Sequence, residues 1–568
     1  MKHFRLAVVF VGSVGAVLAQ TPKDLATAVQ AGASKQALEM IGKGADVNQA
    51  QGEGSTPLLW AVNRQDYDVA RALLDKKANP NAVNEFGATP LTEAARLNDN
   101  MLVTMLLDAG AKVDSANPDD ETALMQAVKN GNLKMAERLV DSGADVNRIE
   151  KFHNQTSLIY AAAGGHRDIV KLLLSKNADV KPRALYTDWP SQVTSEPRTQ
   201  YRPVGGLNAL MYAVRTGCYS CVEQLVAAGA DVNVPTPEGV TPLMLALDNE
   251  HNEIAKLLMD KGSYLDVWDW WGRTPLWIAV DRRTPPGAAP AGGGFGGGRG
   301  GAGGGAGAGQ GPAAGTGGRS GGRGAAQAER DPNAPTPVSS LEIIRRLLAA
   351  GVDVDPEMNF HRPNAPGRGR FADNQVSTST TALFRAVQLN DIEVVQLLLD
   401  KGANPNINSM GYTPFGLVAG AGPNSRGAQG AGAVVTPANW ALMDLLAKHG
   451  ADVNARISGT LNFSFHTGYG NSNDGVNSKE GTSPLHEAAR NGQLDLVKHL
   501  IELGADPNLK DGDGLKPVDV LGKVRAPAAA NGPAARGRGQ GPRGPSEATV
   551  AEIRTVLESA ANTASAKR

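Results

Sequence analysis

Gly44-Ala45-Asp46-Val47-Asn48 occurs again, letter for letter, at 143–147, 229–233 and 450–454. Relaxed copies stand between them: Gly110-Ala111-Lys112-Val113-Asp114, Gly351-Val352-Asp353-Val354-Asp355, Gly402-Ala403-Asn404-Pro405-Asn406 and Gly504-Ala505-Asp506-Pro507-Asn508. Upstream of each copy lies an apolar pattern of helical spacing, such as Ile169-Val170-Lys171-Leu172-Leu173-Leu174. Downstream comes a Thr-Pro-Leu or Thr-Ala-Leu phrase that opens another helix. That Thr falls at 56, 89, 122 and 156, in steps of 33, 33 and 34; after a longer jump to Asn208 it returns at 241 and 274. A fixed period of this size marks a stacked array of short units.

Each part of the phrase has a physical task. Thr caps the incoming helix by accepting a backbone N–H, and Pro occupies the first helical position, where its missing N–H costs nothing. Leu and Ala face the neighbouring unit, and the Gly before Ala-Asp-Val-Asn ends the second helix in a left-handed conformation. Ser483-Pro484-Leu485-His486-Glu487-Ala488-Ala489 is nearly complete, and it resembles the phrase Thr-Pro-Leu-His-x-Ala-Ala of the ankyrin repeat. The resemblance implies an all-α ankyrin-repeat solenoid of about twelve helix-turn-helix units with β-hairpin fingers, since one unit cannot bury its own apolar face. An atypical first unit runs from Asp24 to Asn48, and later units open at Thr381, Thr413, Ser483 and Lys516.

Interruptions of the period divide the chain. Residues 1–19 read as a signal peptide and 20–283 as repeats with an insert at 181–206. Gly, Ala and Arg dominate 284–338, expected to be disordered. Repeats resume over 339–524 with inserts at 355–380, 420–436 and 455–480; then come a Pro/Gly/Arg-rich insert, 525–545, and a C-terminal capping helix, 546–568. Inserts 284–338, 420–436 and 525–545 replace the turn between two helices of one unit. Those at 181–206, 355–380 and 455–480 fall at the fingers and carry aromatics, including Tyr186, Trp189, Phe360, Phe371, Phe463 and Tyr469.

Lys2 and Arg5 precede an apolar run from Leu6 to Leu18, and Val17-Leu18-Ala19 offers small residues before a cut at Gln20. Export to a bacterial periplasm or beyond is the expectation, with no membrane span after cleavage. The 56 basic and 57 acidic residues give a net charge of −1, so no global field draws the chain to nucleic acid.

Cys218 and Cys221 are the only cysteines. Three readings stand for Cys218-Tyr219-Ser220-Cys221: redox chemistry, a local disulfide, and packing without chemistry. Cys221 falls where other units place an inward apolar residue such as Ile169, which disfavours the first.

Catalytic patterns fail on context. Gly318-Arg319-Ser320-Gly321-Gly322 matches Gly-x-Ser-x-Gly but lies in glycine-rich linker, without the strand and helix of a nucleophile elbow. Arg299, Arg319 and Arg323 among glycines resemble RNA-binding segments, yet their density is low. His166, His251 and His486 occupy structural positions of the repeat, and no zinc ligand set converges. No cofactor or metal is expected. The resemblance implies a non-catalytic, monomeric scaffold binding protein partners through the concave face and the fingers. Its rivals are an enzyme with a site in the finger-edge inserts, which offer it only scattered Ser, Thr, His361 and His466, and a secreted effector acting on host proteins. Trp270, Trp271 and Arg273, as tip residues, with Asp281 and Arg282 beside them, form the expected partner-binding set.

Overall fold

The computed structural model describes residues 24–187, 204–283, 331, 334–358, 379–409, 411–421, 437–458, 481–521 and 545–566. The expected signal peptide, most of every insert, and Trp189, Phe360, Phe371, Phe463, Tyr469, His361 and His466 lie outside the described residues. Two compact units divide at Pro182 and Arg183.

In the unit ending at Pro182, helices alternate as pairs: Leu25–Gln30 with Ser34–Gly42, Pro57–Asn63 with Tyr67–Asp75, and onward to Ser157–Gly164 with Arg167–Ser175. Thr56, Thr89, Thr122 and Thr156 each cap a first helix through the side-chain oxygen. Second helices are capped in turn by Asp66, Asp99 and Asn132. The core between helices is small and aliphatic. Leu58, Ala61, Val62, Val69 and Leu73 are wholly buried, and the same positions recur as Leu124, Ala127, Val128, Met135 and Leu139. Gly143 ends a second helix at φ 89°, a conformation that would strain any residue with a Cβ.

In the unit beginning at Arg183 the pattern continues, with Asn208 in the Thr role: its Oδ1 accepts Met211 N–H at 2.9 Å. Helix Pro275–Asp281 pairs with Ser340–Ala349 across the intervening insert. The end of that insert belongs to the stack. Asp331 accepts both the backbone N–H and the hydroxyl of Ser220, at 2.8 and 3.0 Å. Asn252 Nδ2 donates to the Val338 carbonyl at 3.1 Å. The stretch expected to be an insert therefore ends earlier than residue 338. The last pair is also shortened: Pro517–Val520 is a single 3-10 turn, packed near helix Glu547–Ala566.

The expected β-hairpin fingers are turns instead. Regular pairing among the described residues is confined to Tyr186–Thr187 with Val204–Gly205, beside isolated bridges such as Ala116 with Thr122 and Ile149 with Thr156. A polar side chain closes several of these turns in place of a ladder. Asn84 Oδ1 accepts from Phe86 and Ala88, Asn117 from Asp119 and Glu121, and Asp511 from Asp513 and Leu515.

Cys218 and Cys221 are joined in a disulfide, and both are buried. Cys218 is also the N-cap of helix Tyr219–Ala227, so the pair sits inside the packing. His166 lies over the glycines of its own and the preceding turn: a Cβ at Gly131 would come within 2.7 Å of its ring. No described helix is long and apolar enough to cross a membrane.

Candidate protein-binding surface

The final Asn of the Gly-Ala-Asp-Val-Asn phrase links one repeat to the next. Asn81 Oδ1 accepts Lys112 N–H at 2.7 Å while its Nδ2 donates to the Gly110 carbonyl at 3.1 Å. Asn147 does the same with Asp179 and Asn177, Asn233 with Tyr264 and Gly262, and Asn454 with Asp506 and Gly504. Where Asp replaces Asn, at Asp114 and Asp355, the carboxylate accepts from the next repeat at 3.0 Å. This ladder fixes the spacing of the fingers. Sequence reasoning missed it, although the repetition of that one Asn was there to see.

On that frame the finger 262–273 alternates sharply. Tyr264, Asp266, Trp268 and Trp270 are exposed, whereas Asp269, Trp271 and Arg273 are buried. Asp269 closes the turn: Oδ1 accepts the N–H groups of Trp271 and Arg273 at 3.0 and 2.9 Å, and Oδ2 accepts Arg273 Nε at 2.7 Å. The Arg273 guanidinium lies 5.2 Å from the Trp271 ring centre and donates to Asp248 at 3.1 Å. Burial would lower the Arg273 pKa, but Asp248 and Asp269 outweigh it and hold the pKa above its ordinary value. Burial pushes Asp269 the other way, upward, against the pull of Arg273. With donors on both oxygens we take the carboxylate as ionised.

The expected partner-binding set is therefore divided. Trp270 is at the surface, 48% exposed. Trp271 and Arg273 are interior, 8% and 5% exposed: Arg273 pairs with Asp269 and Asp248, and Trp271 lies against the Arg273 guanidinium. Asp281 faces Arg385 at 2.8 Å, its side chain 3% exposed. Arg282 is half-buried and donates to Asp248 at 2.7 Å. Arg283, not singled out from sequence, pairs with Asp391 and Glu393. Trp268, 68% exposed, and Tyr264, 63% exposed, are surface residues that sequence reasoning passed over.

In the other unit the first helices carry linked polar side chains. Asn63 donates to Glu93 at 2.6 Å, and Arg96, salt-bridged to Glu93, is the leading cause of that carboxyl's lowered pKa. Lys129 sits 4.3 Å over the Tyr160 ring. The fingers there expose Phe86 and Phe152, 72% and 64%. Groups of His, Cys, Asp and Glu able to hold a metal are absent among the described residues.

Profiles of ankyrin repeats match residues 25–117, 93–184 and 203–286, a second such profile matches 469–521, and a third 380–409. The chain is 30% identical to the ankyrin repeat and KH domain-containing protein mask-1 of Caenorhabditis elegans over 358 residues, 61% of this chain and 11% of that protein. It is 33% identical over 135 residues to the putative palmitoyltransferase ZDHHC13 of Danio rerio, 23% of this chain and 18% of that one. Over 158 residues it is 29% identical to alpha-latrocrustotoxin-Lt1a of Latrodectus tredecimguttatus, 28% of this chain and 8% of that one. The chain thus spans 8% to 18% of the length of these relatives. The human ASB11 ankyrin repeat domain is similar at 23% identity with a TM-score of 0.34, over 43% of this chain and 98% of that one. Ankyrin repeats generally mediate protein–protein interaction. With matching profiles over more than half of its length and Thr-capped helix pairs joined by an Asn ladder, the chain belongs to the ankyrin repeat proteins.

Proposed function

We propose that this protein is a non-catalytic scaffold that holds one or more partner proteins on its fingers and on the adjoining faces of its first helices. The carrying observation is where apolar surface is left over. Most of the exposed large apolar side chains among the described residues sit in fingers, including Val83, Phe86, Ile149, Phe152, Trp268 and Trp270. The ladder and the aliphatic core hold the stack without them, so their exposure is left for a partner to cover. The same proposal gives the protein an address outside the cytoplasm of a bacterium, on the strength of Lys2, Arg5 and the run from Leu6 to Leu18. N-terminal sequencing of the mature protein beginning near Gln20 supports that address, and retention of Met1 overturns it.

The scaffold itself is tested by using the whole protein as bait, with cross-linking and mass spectrometry. Trp270→Ala is expected to weaken capture of the partner by about 2 kcal/mol at unchanged melting temperature. Trp271→Ala, removing an interior ring, lowers the melting temperature instead. If no protein is captured above control, the scaffold reading is wrong; if Trp270→Ala captures as well as wild type, docking lies on another finger.

A further inference from the structure

Resting on the scaffold reading, we propose that the outward strip Tyr264–Trp268–Trp270 is the docking surface for an extended, arginine-bearing segment of a partner protein. The two sides of the finger 262–273 are the starting point. On the inward side a carboxylate and an indole two residues apart, Asp269 and Trp271, hold the guanidinium of Arg273: Asp269 at 2.7 Å, the Trp271 ring centre at 5.2 Å. On the outward side Asp266 and Trp268 repeat that spacing, with Trp270 two residues further on. Tyr264 and Trp268 are 63% and 68% exposed, and no ion pair to Asp266 occurs among the described residues. The finger therefore presents outward the same pair of groups that it uses inward to hold an arginine.

Charge on the neighbouring fingers selects the occupant. Asn233 bonds finger 229–240 to this one, and Trp270 N–H donates to the Glu238 carbonyl at 2.8 Å. On the other side the Asp353 N–H meets Asp266 at 3.4 Å. Across 229–240, 262–273 and 351–358 the carboxylates are Asp231, Glu238, Asp266, Asp269, Asp353, Asp355 and Glu357, and the one Lys or Arg is Arg273, which is buried and paired with Asp269 and Asp248. Asp355 has its pKa raised, by burial first and then by Asp353 and Glu357 beside it. An aromatic strip framed in this way attracts cations and repels acidic segments. Arginine suits it better than lysine because a planar guanidinium stacks on an indole while its N–H groups remain free to meet a carboxylate. Alternate side chains of an extended segment recur about every 7 Å, so one segment can present more than one arginine to the exposed rings of this finger.

The test uses the full chain and a short arginine–glycine peptide, with its lysine and glutamate counterparts, read by tryptophan emission and by calorimetry. The arginine peptide is expected to bind, more weakly as salt rises, and better than the lysine peptide; the glutamate peptide is expected not to bind. Trp268→Ala and Asp266→Asn should each weaken the arginine peptide at least about tenfold with the melting temperature unchanged. Asparagine keeps the oxygen that meets the Asp353 N–H, so the second variant preserves the frame. The proposal is overturned if the arginine peptide fails to bind at roughly 0.15 M salt, if both variants bind it like wild type, or if the glutamate peptide binds equally. A partner captured in the bait experiment whose binding survives both substitutions leaves the scaffold standing and removes this inference.

Discussion

Arg385 and Asp281 are 104 residues apart in the chain and bonded to one another in the interior, Nε to Oδ1 at 2.8 Å, with side chains 2% and 3% exposed. The contact ties helix Pro275–Asp281 to helix Ala382–Gln388 across two of the inserts. Asp281→Ala removes a carboxylate from a buried guanidinium, and breaking such a pair from one side costs about 3–5 kcal/mol. Asp281→Ala combined with Arg385→Met is expected to recover much of the loss, because no buried charge then remains at either position. Urea denaturation of the single and double variants measures both effects.

The Asn ladder gives a second expectation, with a sign that can go either way. Asn233→Ala removes two inter-repeat hydrogen bonds near the surface and should lower stability by about 1–2 kcal/mol. Asp114→Asn should raise it by about 0.5–1 kcal/mol, since the new amide can donate toward the carbonyl of Gly143 as Asn81 does toward Gly110. Thermal melts of both variants against wild type would show it.

Shortening the glycine-rich stretch distinguishes linker from stack. Deleting 284–330 should leave the melting temperature nearly unchanged, because loop-closure entropy varies slowly with length. Deleting 284–338 also removes Asp331 from the start of helix Tyr219–Ala227 and the Val338 carbonyl from Asn252. A lost cap alone costs about 1 kcal/mol, so the longer deletion should melt measurably lower. Equal melting of the two would show that Asp331 contributes nothing.

Mild acid should weaken the protein through one buried imidazole, His486, and one half-buried, His166. Burial lowers the pKa of His166 and of His486, and Nε2 of His486 lies 3.0 Å from the Leu515 carbonyl. A histidine whose folded pKa is depressed is protonated more readily in the unfolded chain. Its contribution is therefore complete above about pH 6.5 and declines as pH falls below that value. The carboxylates with lowered pKa, such as Glu93 and Asp99, lose theirs only in stronger acid. The fall in melting temperature between pH 7.5 and 5.5 should accordingly be smaller in His486→Gln than in wild type.

The helix pairs were legible because their determinants are local: Thr56 caps within three residues, and Pro57 and Leu58 act within the same turn. The finger geometry was not, since Asp269 and Trp270 are adjacent in sequence and opposite in burial. Trp271 turns inward against Arg273, which Asp248 of the preceding repeat and the Asx-type closure at Asp269 hold in place. Asp281 was misplaced for the same reason, its partner lying beyond two inserts. The pairing of Cys218 with Cys221 is one of three readings that the sequence leaves open, and the two lie one helical turn apart.

The ladder also makes the stack an elastic element with unequal springs. In the unit from Arg183 onward, a pull along the row of fingers loads its rungs in series. Asn233, Asn406 and Asn454 each hold by two bonds, whereas Asp266 holds the Asp353 N–H by a single bond at 3.4 Å. Asp355 likewise takes a single N–H, from Asn404 at 3.0 Å, and Asn508 makes one bond to the Ala561 carbonyl at 3.4 Å, so extension should begin at these singly held joints, among them the one beside the exposed tryptophans, and leave the Asn233, Asn406 and Asn454 rungs closed.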